Sequence, residues 1–163
     1  MNEVKHGNSE PKFIADCMLG TLAKRLRFLG YDTLFFNKIE DSHLVKIALD
    51  QNRIIITRDS GLVRRKAASK HIFIESDNLD LQTEAVLSAA GIEANESKPG
   101  TRCLLCNVEL QPLAKRDAIG KVPPFIFLAH SKFNQCSNCG RIYWKGSHMK
   151  NAMETFENKT ERK

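Results

Sequence analysis

The chain has 163 residues, 42% of them hydrophobic and 27% charged, and a formal net charge of +6; this is ordinary globular usage and excludes wholesale disorder. No apolar run approaches the roughly 20 residues that span a bilayer, and residues 1–12 lack the apolar stretch of a secretory signal. The expectation is a cytoplasmic protein with no membrane contact. Structural disulfides are out of place there, so the five cysteines point first to metal.

Strand and helix signals alternate from the start. Phe13-Ile14-Ala15 is a short apolar run ending at Asp16. Leu19, Leu22, Ala23, Leu26 and Leu29 then recur at helical spacing, with Gly30 as the stop. Lys24, Arg25 and Arg27 are assigned to the polar side of that helix. Thr33 to Phe36 reads as a second strand. Asp41 and Ser42 precede an amphipathic helix carrying Leu44, Val45, Ile47, Ala48 and Leu49. Arg53 to Thr57 is a buried strand ending at Arg58-Asp59, and His71 to Ile74 is another, ending at Glu75-Ser76-Asp77. Leu79 to Ala90 closes the series as a helix stopped by Gly91. This alternation argues for an α/β fold, a parallel sheet flanked by helices.

Composition divides the chain. A polar tail (1–12) precedes an α/β domain (13–91). A polar Gly/Pro-containing linker (92–101) leads to a cysteine-bearing lobe (102–149) and a polar tail (150–163). Residues 1–95 carry 13 Lys+Arg and 13 Asp+Glu, whereas residues 96–163 carry 12 and 6. The whole positive excess therefore belongs to the C-terminal part. Such a lobe suits a polyanion such as RNA or DNA, and equally a solvated surface.

Three strand runs end in acidic residues: Asp16, Asp59 and the Glu75/Asp77 pair. Ligands of open α/β sheets bind outside the carboxyl ends of the strands. Carboxylates meeting there repel one another unless a cation intervenes. Hard oxygen ligands suit Mg²⁺ or Mn²⁺, and two such ions can stabilise the attacking and leaving oxygens of a phosphodiester. Asp41 can join from the start of its helix. The competing reading is structural: Asp16, Asp41 and Asp77 stand where N-caps stand, and Asp59 can shape a turn. Nearby Lys24, Arg25 and Arg58 can position phosphate. Thr57 can donate its hydroxyl to a carboxylate or serve as an ordinary strand threonine. Arg64, Arg65 and Lys66 read as a solvated face.

Cys103/Cys106 and Cys136/Cys139 form two Cys-x-x-Cys knuckles, the ligand set of a closed, structural tetrahedral zinc site, with a redox pair or an iron–sulfur cluster as the alternatives. A small lobe with little core gains its fold from such a staple. Cys17 stands apart and reads as a small buried hydrophobe. His130 and His148 read as structural or surface residues. Tyr143, Trp144 and Phe133, with Lys132, Arg141 and Lys145 nearby, offer stacking faces to bases or pack the lobe's core.

The ordered series FIADCMLGTLAKRLRFLGYDT (13–33), IIITRD (54–59), CLLC, CSNC and YWKGSH (143–148) resembles the Mut-seven C-terminal RNase domain family. Those are PIN-like nucleases with an appended zinc ribbon. The resemblance covers roughly Phe13 to Met149. It implies a PIN-like α/β fold with a C-terminal ribbon and metal-dependent RNA cleavage. Asp16, Asp41 and Asp59 fall on the family's acidic positions, and Lys24 falls on a basic one. Asp77 is the nearest candidate for a fourth acid. Arg25 and Met149 depart from the family pattern.

The expected function is therefore a metal-dependent ribonuclease. Asp16, Asp41 and Asp59, with Asp77, hold Mg²⁺ or Mn²⁺. Lys24, Arg25, Arg58 and Thr57 face the phosphate, and a structural zinc on Cys103, Cys106, Cys136 and Cys139 builds an RNA-gripping ribbon. The RNA partner is expected to be single-stranded or tRNA-like. The rival from another class is a non-catalytic RNA-binding adaptor working through the ribbon.

Overall fold

The structure is a computed structural model that describes residues 10–65, 68–92 and 98–146. Lys66, His148, Met149 and the tail from Lys150 lie outside the described residues. The first layer is a four-stranded parallel sheet of β1 (Phe13–Ala15), β2 (Thr33–Phe35), β3 (Ile54–Thr57) and β4 (His71–Phe73), in the order β2-β1-β3-β4. Four helices belong to it: α1 (Gly20–Phe28), α2 (Asp41–Asp50), α3 (Ser60–Val63) and α4 (Leu79–Ala89).

The strands are largely apolar because helices cover both faces. Side chains alternate along each strand. Phe13, Ala15 and Ile56 pack with Leu22 and Leu26 of α1 and Val86 of α4. Ile14 and Ile55 pack on the other face, with Leu44, Val45 and Ala48 of α2 and Leu62 of α3. Among the described residues no helix is long and apolar enough to cross a membrane.

The C-terminal part forms a second, antiparallel sheet of β5 (Leu110–Leu113), β6 (Phe133–Cys136) and β7 (Ile142–Trp144). The 29-residue gap between the knuckles holds β5, a 3-10 turn at Lys115–Ala118 and the short helix α5 (Pro124–Ala129). Its apolar core is small, with Ala118, Val122 and Phe133 buried. A lobe with so few buried side chains needs another source of cohesion.

Two readings of the first helix and its start are corrected. Arg27 is not on the polar side of α1; it is 5% exposed and its guanidinium faces the cysteine lobe. Its Nε donates to Thr33 O at 2.8 Å, and its Nη1 donates to Leu104 O and Leu105 O at 2.9 and 3.0 Å. Cys17 is exposed, not buried, because it opens a 3-10 turn (Cys17–Leu19) that leaves the sheet at the end of β1.

Further buried bonds fix the two sheets together. The Asn107 side chain accepts from Thr33 N at 2.9 Å and donates to Asp32 Oδ1 at 2.7 Å. Asp32 also receives Arg53 Nη1 at 2.6 Å, and Arg102 Nε donates to Gly30 O at 2.9 Å. All these contacts involve residues just before or at the start of β2 and β3. In a parallel sheet the start of every strand lies at one edge, so the cysteine lobe docks on the edge opposite Asp16 and Asp59. The nine-residue helix α1 spans the interval, about 13 Å.

Candidate active site and metal centre

The chain reverses direction of winding between β1 and β3: β2 lies on one side of β1, and β3 and β4 lie on the other. The crevice outside the carboxyl ends at such a switch point is where open α/β sheets receive ligands. Asp16 follows β1 and Asp59 follows β3, so both flank this crevice. Ala15 pairs with Ile56, which puts Asp16 beside Thr57.

Thr57 then links the two acids. Its fully buried hydroxyl donates to Asp16 Oδ2 at 2.8 Å and accepts from Asp59 N at 2.9 Å. Asp16 is 8% exposed, and its Oδ1 accepts from Cys17 N at 2.6 Å while capping the 3-10 turn. Asp59 caps α3 through Oδ1, which accepts from Gly61 N at 2.7 Å. Both carboxylates are therefore caps as well as strand-end acids. Each carboxylate oxygen has two lone pairs, so capping leaves both groups further acceptor capacity.

The remaining acids are placed differently. Asp41 is the first residue of α2, with Glu40 at the N-cap. Its carboxylate meets Arg65 Nη2 at 3.0 Å. Desolvation and the adjacent Asp16 carboxylate hold the Cys17 thiol above its ordinary value, with the Asp41 charge a smaller contribution. Asp77 is not a cap, since Asn78 caps α4. Asp77 meets Arg58 Nη1 at 2.5 Å, so the cation expected to face phosphate is held by the acid expected to face metal. Arg25 lies 3.8 Å from Asp80 of α4, and Lys24 is exposed on α1. Glu75 is exposed.

The four cysteines converge. Their sulfur atoms all lie within 4.8 Å of one another. Cys103 Sγ and Cys139 Sγ are 3.8 Å apart, against the edge of about 3.8 Å that a tetrahedron with 2.3 Å zinc–sulfur bonds requires. The donor set and its spacing fit a tetrahedral thiolate metal site. Among the described residues the carboxylates form no group of three as tight as this.

Hydrogen bonds tune the sulfurs. Cys106 N donates to Cys103 Sγ and Cys139 N to Cys136 Sγ, each at 3.4 Å. Burial pushes the Cys103 thiol up, but the Tyr143 hydroxyl, the amides of Cys106 and Leu105 and a bond from Cys136 outweigh it and bring it down to about 6. A thiol so placed is ready to ligate as thiolate. Burial and donation to Cys103 in turn raise Tyr143 well above its ordinary value.

The Mut7-C RNAse domain model matches residues 11–156. The chain belongs to that family. No curated protein and no solved structure matches it. Membership of the Mut7-C RNAse family implies a nuclease, RNA-related role, and the four cysteines are positioned to bind a metal ion.

The roles of two residues, Tyr143 and Arg27, escape a sequence reading. Tyr143, which bonds Cys103 Sγ at 3.2 Å and accepts from Leu104 N at 3.2 Å, carries no distinguishing signal. Arg27 looks like any helix cation. Asn107 is the exception, for it follows Cys106 as Gly140 follows Cys139. Both adopt positive φ, 65° and 71°, a conformation open to Gly and Asn but strained for most residues.

Proposed function

We propose that this protein is a metal-dependent ribonuclease whose reaction takes place in the crevice between β1 and β3. The observation that carries the reading is the Asp16–Thr57–Asp59 chain of hydrogen bonds at the switch point of the sheet. There, in a nuclease family domain, one buried hydroxyl holds the carboxylate of Asp16 and the backbone amide of Asp59. Asp16 and Asp59, with Asp41 turned in from α2, would hold Mg²⁺ or Mn²⁺. A bound divalent ion supplies an acidified water and charge neutralisation at the scissile phosphate.

The chain's own part is positioning. Thr57 fixes the Asp16 carboxylate by donating to one oxygen while the Cys17 amide fixes the other. This holds the ligand geometry before substrate arrives, which is where supporting residues exert their effect. Lys24 and Arg25 line the adjoining helix and would meet the RNA backbone as point charge and fork. Arg58 and Arg65 are paired with Asp77 and Asp41. Phosphate competing for these guanidiniums would free the carboxylates toward the crevice.

The cysteine cluster would hold structural zinc, since four thiolates leave no open position for chemistry. The lobe around it would grip RNA through charge. Residues 98–146 hold eight Lys+Arg against two Asp+Glu.

The test is cleavage of a labelled single-stranded RNA with Mn²⁺ and with EDTA. Expected is shortening with Mn²⁺ only, lost in Asp59→Asn while melting behaviour is kept, and lost also in Asp16→Asn. An unchanged rate in both variants overturns the assignment. The pairing of Asp41 and Asp77 with arginines favours one rival reading, an RNA-binding adaptor without catalysis. That reading expects a mobility shift without shortening at any divalent ion concentration.

A further inference from the structure

A cavity of about 590 Å³ opens at the junction of the two sheets. Its walls include Phe28 at the end of α1, Phe125 and Ile126 of α5, and Tyr143 and Trp144 of β7, with Arg102 at one side. None of these residues belongs to the acidic crevice. Phe125 is 68% exposed and its neighbour Leu128 is 80% exposed, which is costly unless something covers them. Four aromatic residues contribute to the walls of one groove, on a lobe with a fourfold excess of basic over acidic residues, a composition by which single-stranded nucleic acids are bound. Bases stack on rings while cations follow the backbone.

We propose that this groove is a docking site for unpaired bases of single-stranded RNA, remote from the cleavage crevice. The proposal rests on the ribonuclease reading above for the choice of RNA, and its test is independent of catalysis. The basic excess of the lobe as a whole, rather than Arg102, which is already bonded to Gly30 O, Asn107 O and Glu109, favours a polyanion over an apolar peptide as the occupant. The aromatic lining selects unstacked bases over a duplex, whose bases are already stacked and out of reach. Lys145, exposed between Trp144 and Gly146, is placed to meet a phosphate at the groove's rim. The groove adjoins the far end of α1, so an RNA held there must run about the 13 Å length of that helix to reach Asp16 and Asp59. The cut would then fall at a distance from the bound bases, and a fragment too short to bridge the two places would lose the benefit of the groove.

The chain contains a single tryptophan, and it lines this groove, so its fluorescence reports occupancy without labels. The experiment titrates the full-length, zinc-loaded protein with oligouridylate in EDTA at a concentration that leaves the thiolate site loaded, alongside a duplex of equal length. Expected is quenching of Trp144 emission by the single strand and not by the duplex. Phe125→Ala should weaken that binding about ten-fold, the size of one lost base–aromatic stack, with the salt dependence of affinity unchanged. Lys145→Ala should instead reduce the salt slope by about 0.7. Quenching that persists in Asp59→Asn, whatever the fate of cleavage, separates the groove from the crevice.

RNA binding by anisotropy with no change in Trp144 emission, or equal affinity in Phe125→Ala, overturns the proposal and leaves the nuclease reading standing. Emission that shifts with protein concentration alone, or on adding an amphipathic peptide but not RNA, overturns it in favour of a protein occupant. Groove binding without cleavage by any variant or metal refutes the nuclease reading instead.

Discussion

Arg27 offers the sharpest test of how the two sheets are held together. Its guanidinium is buried and makes three hydrogen bonds to carbonyls, one on β2 and two on the first knuckle. Burial pulls its pKa below the ordinary value, while the thiolates of Cys103 and Cys106 and the Asp32 carboxylate pull it back. An arginine stays charged in such a place, so the cysteine sulfurs and the Asp32 carboxylate serve as its counter-charges.

Replacing it by Met keeps most of the apolar stem and removes the fork. Three carbonyls are then left without their donor, at about 1 kcal/mol or more each. The expected loss is about 3 kcal/mol, which corresponds to a melting temperature lower by roughly 6–12 °C for a domain of this size. Urea denaturation of the metal-loaded protein, followed by circular dichroism, measures it. Arg27→Lys, which keeps charge but loses the planar fork, should fall between the two. A loss below about 1 kcal/mol in Arg27→Met would refute the idea that this clasp holds the lobe to the sheet. So would equal stability of the Lys and Met variants, for the electrostatic part of it.

Other outcomes follow from single contacts. Thr57→Val is nearly isosteric but leaves Asp16 Oδ2 and Asp59 N without their partner. It should cost about 1–3 kcal/mol and reduce cleavage, whereas Thr57→Ser should restore both; denaturation and the cleavage assay check this together. The cysteine site should bind one metal ion per chain, and Cys106→Ser should abolish it, as measured by metal analysis after gel filtration. For Asp32, burial raises the pKa, but Arg53 and Asn107 outweigh it and hold the group below its ordinary value. Its contribution to stability is therefore complete above the unfolded value near 4 and is lost as pH falls through the folded one. Asp32→Asn should lower stability at neutral pH and flatten that acid decline, as seen in melting curves taken from pH 6 to pH 3. Gly30→Ala should destabilise by more than about 1 kcal/mol, because φ is +98° and a Cβ would stand 2.6 Å from Lys98 O; melting temperature reports it.

Much of this protein is written in local pattern. The apolar runs ending at Asp16 and Asp59 became adjacent parallel strands, because helices on both faces can bury strands of that composition. The two Cys-x-x-Cys knuckles announced their convergence through spacing alone, since thiolates at that interval close around one ion. Strand order was not legible. Only the pairing of β1 with both β2 and β3 created the switch point and brought Thr57 between the two acids, because pairing partners are chosen by long-range packing.

The edge on which the cysteine lobe docks was equally hidden. It is decided by Arg27, Asn107 and Arg102, whose bonding atoms find carbonyls and carboxylates some 70 residues away in the chain. A helical periodicity can place Arg27 on its helix, but not tell that a cluster of four cysteines will stand opposite it. Local propensity and spacing determined the elements and the metal-binding set. Tertiary structure decided which acids flank the crevice, which arginines are spent in pairing, and on which edge of the sheet the cysteine lobe docks.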